Sequence, residues 1–360
     1  MKNSLGTSVI LTLAGESHGP GIIAVLDGMA PGVRVCEESI AAQLSLRRPA
    51  GPGESARREA DEFRILSGVR DGLTTGTPIS IFIPNSDVHP QDYAEGAPRP
   101  SHADYPSHVK FGGFEDASGG GHFSGRLTAG ICAVGAIALD ALKAKGIRIG
   151  SHILSCAGVD DRPFSFDPLA EIESLEGEPF PVLSDAGPRM REAIATAAAD
   201  GDSVGGIVQT AVCGLPAGVG EPWFGSLDGA ISLAVMSLRA VKGVEFGDGF
   251  RLAGMRGSQA NDAFTSSAGQ IGTMTNHGGG VAGGMSTGMP LVFNTVVKPT
   301  PSIAIPQQSV NPDTGEQVMI SVKGRHDPAI VRRICPVLNC MTALVICDQM
   351  ALRYGTDYLR

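Results

Sequence analysis

Aromatic side chains are scarce in this chain: Phe, Trp and Tyr make up 5% of 360 residues, with one tryptophan. Glycine is abundant instead, at 49 residues, so turns and close backbone approaches should be frequent. Positive charge is also short. Lys and Arg number 28 against 37 Asp and Glu, for a net charge of -9. That balance argues against a chain-wide nucleic-acid or membrane-surface footprint, though a local basic cluster can still hold an anionic small molecule. The cysteines Cys36, Cys132, Cys156, Cys213, Cys335, Cys340 and Cys347 are odd in number and form no C-x-x-C pair. Neither a zinc site nor a disulfide framework is expected, and a reducing cytoplasm fits. No window offers the roughly 18 uninterrupted apolar residues of a membrane span. The first residues are a poor match to a signal peptide, because Gly15 and Glu16 break a short apolar piece. Several signatures are missing: the P-loop, the dinucleotide fingerprint, the serine nucleophile elbow, H-E-x-x-H and a cysteine–histidine pair.

What is there is a mixture of strands and helices. "SVILTLAG", "PISIFIPNSD", "VGGIVQTAVCGL", "VKGVEFGDGF" and "MPLVFNTVVK" read as strands, and "IRIGSHILSCAGV" as one or two more. "EESIAAQLSLRR" reads as a helix closed by Pro49. Leu127, Ile131, Val134, Ala138 and Leu142 recur at helical spacing, with Gly146 as a C-terminal stop. "PRMREAIATAAADG" and "SLDGAISLAVMSLRA" read as helices, and the last 25 residues as a mostly buried one. Residues 87–122 and 254–290 look irregular. A regular βαβ beat is absent, so the expected class is α+β, with residues 1–360 forming one layered domain.

Chemistry-bearing residues gather in a few segments. "GESHG" sets His18 beside Ser17 in a loop after a strand, where it can reach a ligand or merely bond backbone. "RPSHADYPSH" contains Arg99, His102, Asp104 and His108; a carboxylate two residues from a histidine can orient it. The same segment also fits a polar surface loop. In "DASGGGHFSGRLTAG", glycines precede a helix N-terminus, which favours an anion, with Ser124 and Arg126 as further donors. Read alone, it serves equally as a flexible lead-in to a helix. "GRHDP" brings together Arg325, His326 and Asp327, and "KPTPS" offers Lys298 and two hydroxyls. Histidines, one aspartate and arginines suit proton transfer on an anionic ligand better than covalent catalysis.

In this order, these segments resemble the chorismate synthase family. The matching stretches are "GESHG", "LRRP", "ARRE", "RP-x-HADY", "GGG-x-x-S-x-R-x-T", "AVKGVEFGDGF", "NH-x-GG-x-x-GG-x-S-x-G", "KPT-x-SI" and "GRHDP", together with "ILSGV" and the "TTGTPI" after it. The resemblance implies a β-α-β sandwich with helices layered between antiparallel sheets, and a homotetramer. It implies a lyase that turns 5-enolpyruvylshikimate 3-phosphate into chorismate and phosphate by 1,4-anti elimination. That reaction requires reduced FMN without net redox change, and NADPH is a candidate source of electrons for the flavin. By the same resemblance, His18, with Ser17 beside it, protonates the departing phosphate. His102 protonates the reduced flavin, and Asp327 assists removal of the C6 proton. His122, Phe123, Ser124, Arg239, Ala240, Gly283, Lys298, Pro299, Thr300, Pro301, Ser302 and Arg325 fall where the family lines its FMN site. Arg47, Arg48 and Arg126 match positions near substrate or cofactor phosphates.

The chain departs from the family at several of these places. Leu46 and Gly53 stand where arginines are common, Ser101 replaces a glycine, and His122 replaces an arginine. Phe123, Gly125 and Leu127 are further changes in the same loop. Lost positive charge bears on FMN phosphate and NADPH binding but leaves His18, His102 and Asp327 in place. Two other readings follow: an NAD(P)H-dependent flavin oxidoreductase, and a divergent member that binds flavin or an anion without catalysis.

Overall fold

The structure is a computed structural model that describes residues 2–49, 54, 60–86, 97–116, 118–312, 314–322 and 327–360. Its first sheet holds β1 (Ser4–Leu5), β2 (Ile10–Gly15), β3 (Gly21–Asp27) and β4 (Arg64–Ser67). After the small hairpin β5 (Val69–Arg70) and β6 (Leu73–Thr74), β7 (Ile79–Pro84) completes it, in the antiparallel order β1-β2-β3-β7-β4. The second sheet holds β8 (Arg148–Cys156), β9 (Val159–Asp160), β10 (Gly206–Cys213), β11 (Val241–Phe246) and, later, β16 (Leu291–Val297). Its order is β11-β16-β10-β8-β9, again antiparallel throughout.

Helices fill the space between the sheets. Helix α1 (Glu37–Arg47) packs on α3 (Thr128–Ala144), and α3 lies on β2, β3 and β7. Helix α8 (Val331–Tyr354) packs on α3 on one side and on β8 and β10 on the other. The result is the expected α+β sandwich of sheet, helices and sheet. The predicted face of α3 is buried at Leu127, Ile131, Val134, Ala138 and Leu142, but so are most of the residues between them. A helix flanked by a sheet and two other helices has no wet face, so it is apolar nearly all round. At the α3–α8 crossing Gly135 abuts Cys340, where any side chain would collide. By length and composition α8, and α3 with the turn before it, could each cross a membrane; both are instead mostly buried between the sheets.

The helix layer also ties down the first sheet's edge. Asp348, near the end of α8, accepts hydrogen bonds from the backbone N–H groups of Thr7, Ser8 and Val9 at 3.0, 2.6 and 2.9 Å. On the second sheet's outer face, helices α4 (Leu169–Ser174) and α5 (Gly187–Ala199) cover the surface beside β8 and β9. Helix α6 (Leu227–Ser237) packs on α8 and β11.

Some sequence expectations need correction. The stretch 87–122 is not irregular throughout: α2 (Asp104–Phe111) lies within it, ahead of a tight turn of positive-φ glycines at Gly119–Gly121. A left-handed Gly112 ends α2, with its N–H returned to the His108 carbonyl. The glycine-rich 254–290 stretch contains a one-turn helix, α7 (Gly257–Ala260), and two short hairpins, β12 (Phe264–Ser267) with β13 (Gln270–Thr273) and β14 (Val281–Ala282) with β15 (Met285–Ser286). The last helix starts at Val331, five residues ahead of Pro336, so that proline sits inside it.

Candidate active site

A cavity of about 580 Å³ opens where the ends of the helices meet loops from both sheets. The end of α1 contributes Arg47 and Arg48, and the turn before α3 contributes Phe123 to Arg126. The α6–β11 junction supplies Met236 to Lys242, and the loop after β16 supplies Lys298, Thr300, Pro301 and Ser302. Arg99, Ser101 and His102 close one side, and Asp327 with the first turns of α8 closes another. On a chain with net charge -9, the described residues of this wall include many cations and one carboxylate, Asp327. Such a local field concentrates anionic ligands whatever the overall charge.

Arg47 and Arg126 do not hang loose in the wall. Both guanidiniums grip Asp61, whose side chain is 0% exposed: Arg47 Nη2 donates to Oδ2 at 2.9 Å and Arg126 Nη1 to Oδ1. Burial alone would raise the Asp61 carboxyl, but the two arginines hold it below its ordinary value. Arg126 Nε donates to Asn85 Oδ1 at 2.9 Å. The buried Nε of Arg47 has no partner among the described residues. Arg48 Nη1 donates to the Ala60 carbonyl at 2.7 Å.

His102 is oriented by its neighbours. Its Nδ1 lies 2.5 Å from Asp104 Oδ1, which selects the Nδ1–H tautomer and leaves Nε2 for chemistry. Arg99 Nε and Nη2 each donate to Asp104 at 2.8 Å, while Nη1 donates to Ser302 Oγ at 3.2 Å. Burial works to raise the Asp104 carboxyl, yet the hydrogen bonds and charges of Arg99 and His102 hold it well below the usual carboxylate range. The anion that orients His102 therefore persists through the neutral range.

His18 and Ser17 sit behind the glycine turn. A Cβ placed on Gly119, a cavity residue, would lie 2.5 Å from His18 Cε1, and one on Gly120 would lie 3.1 Å from His102 Cε1. Both glycines have positive φ, 60° and 87°, so the turn also needs their conformational freedom. The two histidines thus flank one strip of bare backbone. Ser17 Oγ lies 3.3 Å from His18 Nδ1 and donates to the Ser118 carbonyl at 3.1 Å. The Ser17 N–H donates to the Gly121 carbonyl at 3.1 Å.

Arg239 lies over the Phe123 ring, 5.1 Å from its centroid. Burial pulls Arg239 below its ordinary value, and burial with the nearby Lys242 charge does the same to Lys298. Lys298 Nζ donates to the Ser101 carbonyl at 2.8 Å, and Thr300 Oγ1 to the Asp327 carbonyl at 2.6 Å. The Asp327 carboxylate pairs with Arg333, whose Nε also donates to the Arg47 carbonyl at 2.9 Å. Ser124 caps the turn before α3, its Oγ accepting from the Arg126 N–H at 3.2 Å.

Most of the site residues expected from sequence therefore share this cavity. Ser17 and His18 are outside the lining, behind Gly119, and Pro299 is outside it too but adjoins it in the same loop, next to Gly205. Gly283, in the turn between Val281–Ala282 and Met285–Ser286, and His122 are not among the lining residues; the His122 Nδ1–H donates to the Gly15 carbonyl at 2.9 Å. Arg325 and Gly53 lie outside the described residues. Sequence reasoning missed Arg333, Asp61 and Asn85. The basic pair Arg332-Arg333 ahead of an apolar run was the available signal for the first; the other two carried none.

Comparison with known proteins follows the same lines. The family model described as chorismate synthase matches residues 9–351. A chorismate synthase of Aeropyrum pernix is 42% identical over 98% of this chain and 93% of its own length. Those of Thermococcus gammatolerans and Methanocella arvoryzae are 43% and 44% identical over 97% of this chain, covering 97% and 94% of their own. A crystal structure of chorismate synthase aligns with a TM-score of 0.78 at 29% identity, over 98% of this chain and 96% of that one.

Proposed function

The chain belongs to the chorismate synthase family, and on that premise we propose that it converts 5-enolpyruvylshikimate 3-phosphate into chorismate and phosphate. The proposed reaction is a 1,4-anti elimination, losing the C6 proton and the 3-phosphate, with reduced FMN bound and no net redox change. The observation that carries this reading is the cation-walled cavity with His102 and Asp327 in its lining. A substrate with one phosphate and two carboxylates, beside a flavin phosphate, needs such a wall.

The residues present fit a flavin mononucleotide. Phe123 and Arg239 offer a stacked planar face, Lys298, Thr300 and Ser302 offer polar contacts, and the buried Arg47 Nε awaits an acceptor. When bound, reduced FMN lends electron density transiently as phosphate leaves. His102, its Nδ1–H held by Asp104, would present Nε2 to exchange a proton with the flavin. Asp327, fixed by Arg333, assists removal of the C6 proton. His18, behind Gly119, supplies the acid for the departing phosphate. Arg47, Arg48 and Arg126 bind phosphate oxygens. NADPH is the proposed source of electrons for the flavin.

A cytoplasmic homotetramer completes the proposal. Its support is the free thiols, buried except at Cys36, and the exposed aromatics Trp223, Phe224 and Phe250, surface that a partner copy would cover. Incubating the protein anaerobically with 5-enolpyruvylshikimate 3-phosphate and chemically reduced FMN should yield chorismate and phosphate in equal amounts. Absence of chorismate overturns the reading.

A further inference from the structure

We propose that Asn85 is a positioning residue for His18: its side-chain amide fastens the loop carrying that histidine to Arg126 in the cavity wall. The inference rests on the proposed elimination for the role of His18. Asn85 follows β7 directly, so the sheet sets its backbone. Its Nδ2 donates to two carbonyls of the loop, Glu16 at 2.9 Å and Gly19 at 2.8 Å. These carbonyls bracket Ser17 and His18. Its Oδ1 accepts from Arg126 Nε at 2.9 Å, and its backbone N–H donates to the Pro20 carbonyl at 3.2 Å. Both amide donors and the amide acceptor are thus engaged.

The amide joins two parts of the site that have no sequence proximity. On one side, Arg126 is anchored to Asp61 and, through it, to Arg47. On the other is the loop of residues 16–19, held from its opposite edge by Ser17 and His122 through their bonds to the Gly121, Ser118 and Gly15 backbone. A continuous polar chain therefore runs from the wall cations to the His18 loop. A proton donor and the cations that hold its phosphate acceptor must keep one mutual geometry. A displacement of about 1 Å from that geometry can cost about 100-fold in rate.

Two variants separate positioning from charge. Asn85→Asp keeps the shape and an acceptor for Arg126 but sets carboxylate oxygens against two carbonyls. Asn85→Ala removes all the side-chain bonds. Both should lower kcat by about tenfold or more while changing the substrate KM less than about threefold. Hydrogen exchange of residues 15–20 should quicken in both, with exchange in β3 and α8 unchanged. A kcat for Asn85→Asp within about threefold of wild type, or an unchanged loop exchange rate, overturns the proposal. Should Asn85→Ala fail to fold, Asn85→Asp decides alone. A wild-type protein that makes no chorismate would sink the proposed function instead, and the exchange rates with the His18 ring resonances would still report whether Asn85 sets that loop.

Discussion

Replacing Asp61 with asparagine should destabilise the protein through charge alone, since the shape is kept. The Asp61 side chain is 0% exposed, and those of Arg47 and Arg126 are 5% and 2% exposed. Without the carboxylate, two guanidiniums stay buried and face an amide that cannot neutralise them. Removing one partner from a buried ion pair costs about 3–5 kcal/mol. Unfolding entropy of about 2.1 cal/mol/K per residue makes each kcal/mol worth about 1.3 °C in a chain of 360 residues. The melting midpoint near neutral pH should fall by about 4–7 °C. The pH dependence has a definite sign. A carboxyl lowered on folding stabilises fully above its unfolded value of about 3.9 and loses that contribution as pH falls through the lowered folded value. The gap between wild type and variant should stay constant from about pH 8 to about pH 5 and close only on further acidification. Scanning calorimetry at fixed protein concentration measures it, with Asp71→Asn, at the exposed Arg70–Asp71 pair, as a control that leaves the midpoint unchanged. A shift below about 1 °C, or a gap that closes between about pH 7 and 6, would refute the reasoning.

Gly119→Ala should lower kcat and cost about 1–2 kcal/mol, because its φ of 60° is unfavourable and the new methyl meets His18; normal turnover in the variant would remove the close approach from the account. Phe123→Ala strips the face on which Arg239 lies and should weaken reduced-FMN binding about 5- to 30-fold by anaerobic fluorescence titration, an unchanged affinity counting against a flavin there. In a thiol titration of the native protein near pH 8, Cys36 should react first, since burial pushes Cys156 up to about 11 and Cys213 and Cys335 up to about 12. Rapid native labelling of Cys335 would contradict that packing.

Regular features were legible where one element decides them. The α3 pattern and the strands at 10–15, 79–84 and 291–297 could be read from local alternation or helical spacing. Strand β3 was hidden because "GPG" reads as loop, although Ile22, Ala24 and Leu26 alternate inward just after it. In the site, His102 and Asp104 are legible as a pair because they are two residues apart. Asp61 is not, since its partners lie 14 and 65 residues away and meet only when the end of α1, the chain ahead of β4 and the turn before α3 converge. His122 shows the limit of reading residue type. The resemblance puts it at the FMN site in place of an arginine, and the structure shows its Nδ1–H donating to the Gly15 carbonyl. The sequence also gives no sign that Gly119 and Gly120 separate two histidines 84 positions apart in the chain, His18 and His102.

The central claim is an elimination that needs a reduced flavin yet does not consume it. Its most direct test is to mix the protein anaerobically with excess 5-enolpyruvylshikimate 3-phosphate and a limiting amount of reduced FMN, then count products against flavin oxidised. The account predicts many chorismate and phosphate molecules per flavin, with the flavin still reduced at the end. One flavin oxidised per product, or flavin bound with no product at all, would contradict it.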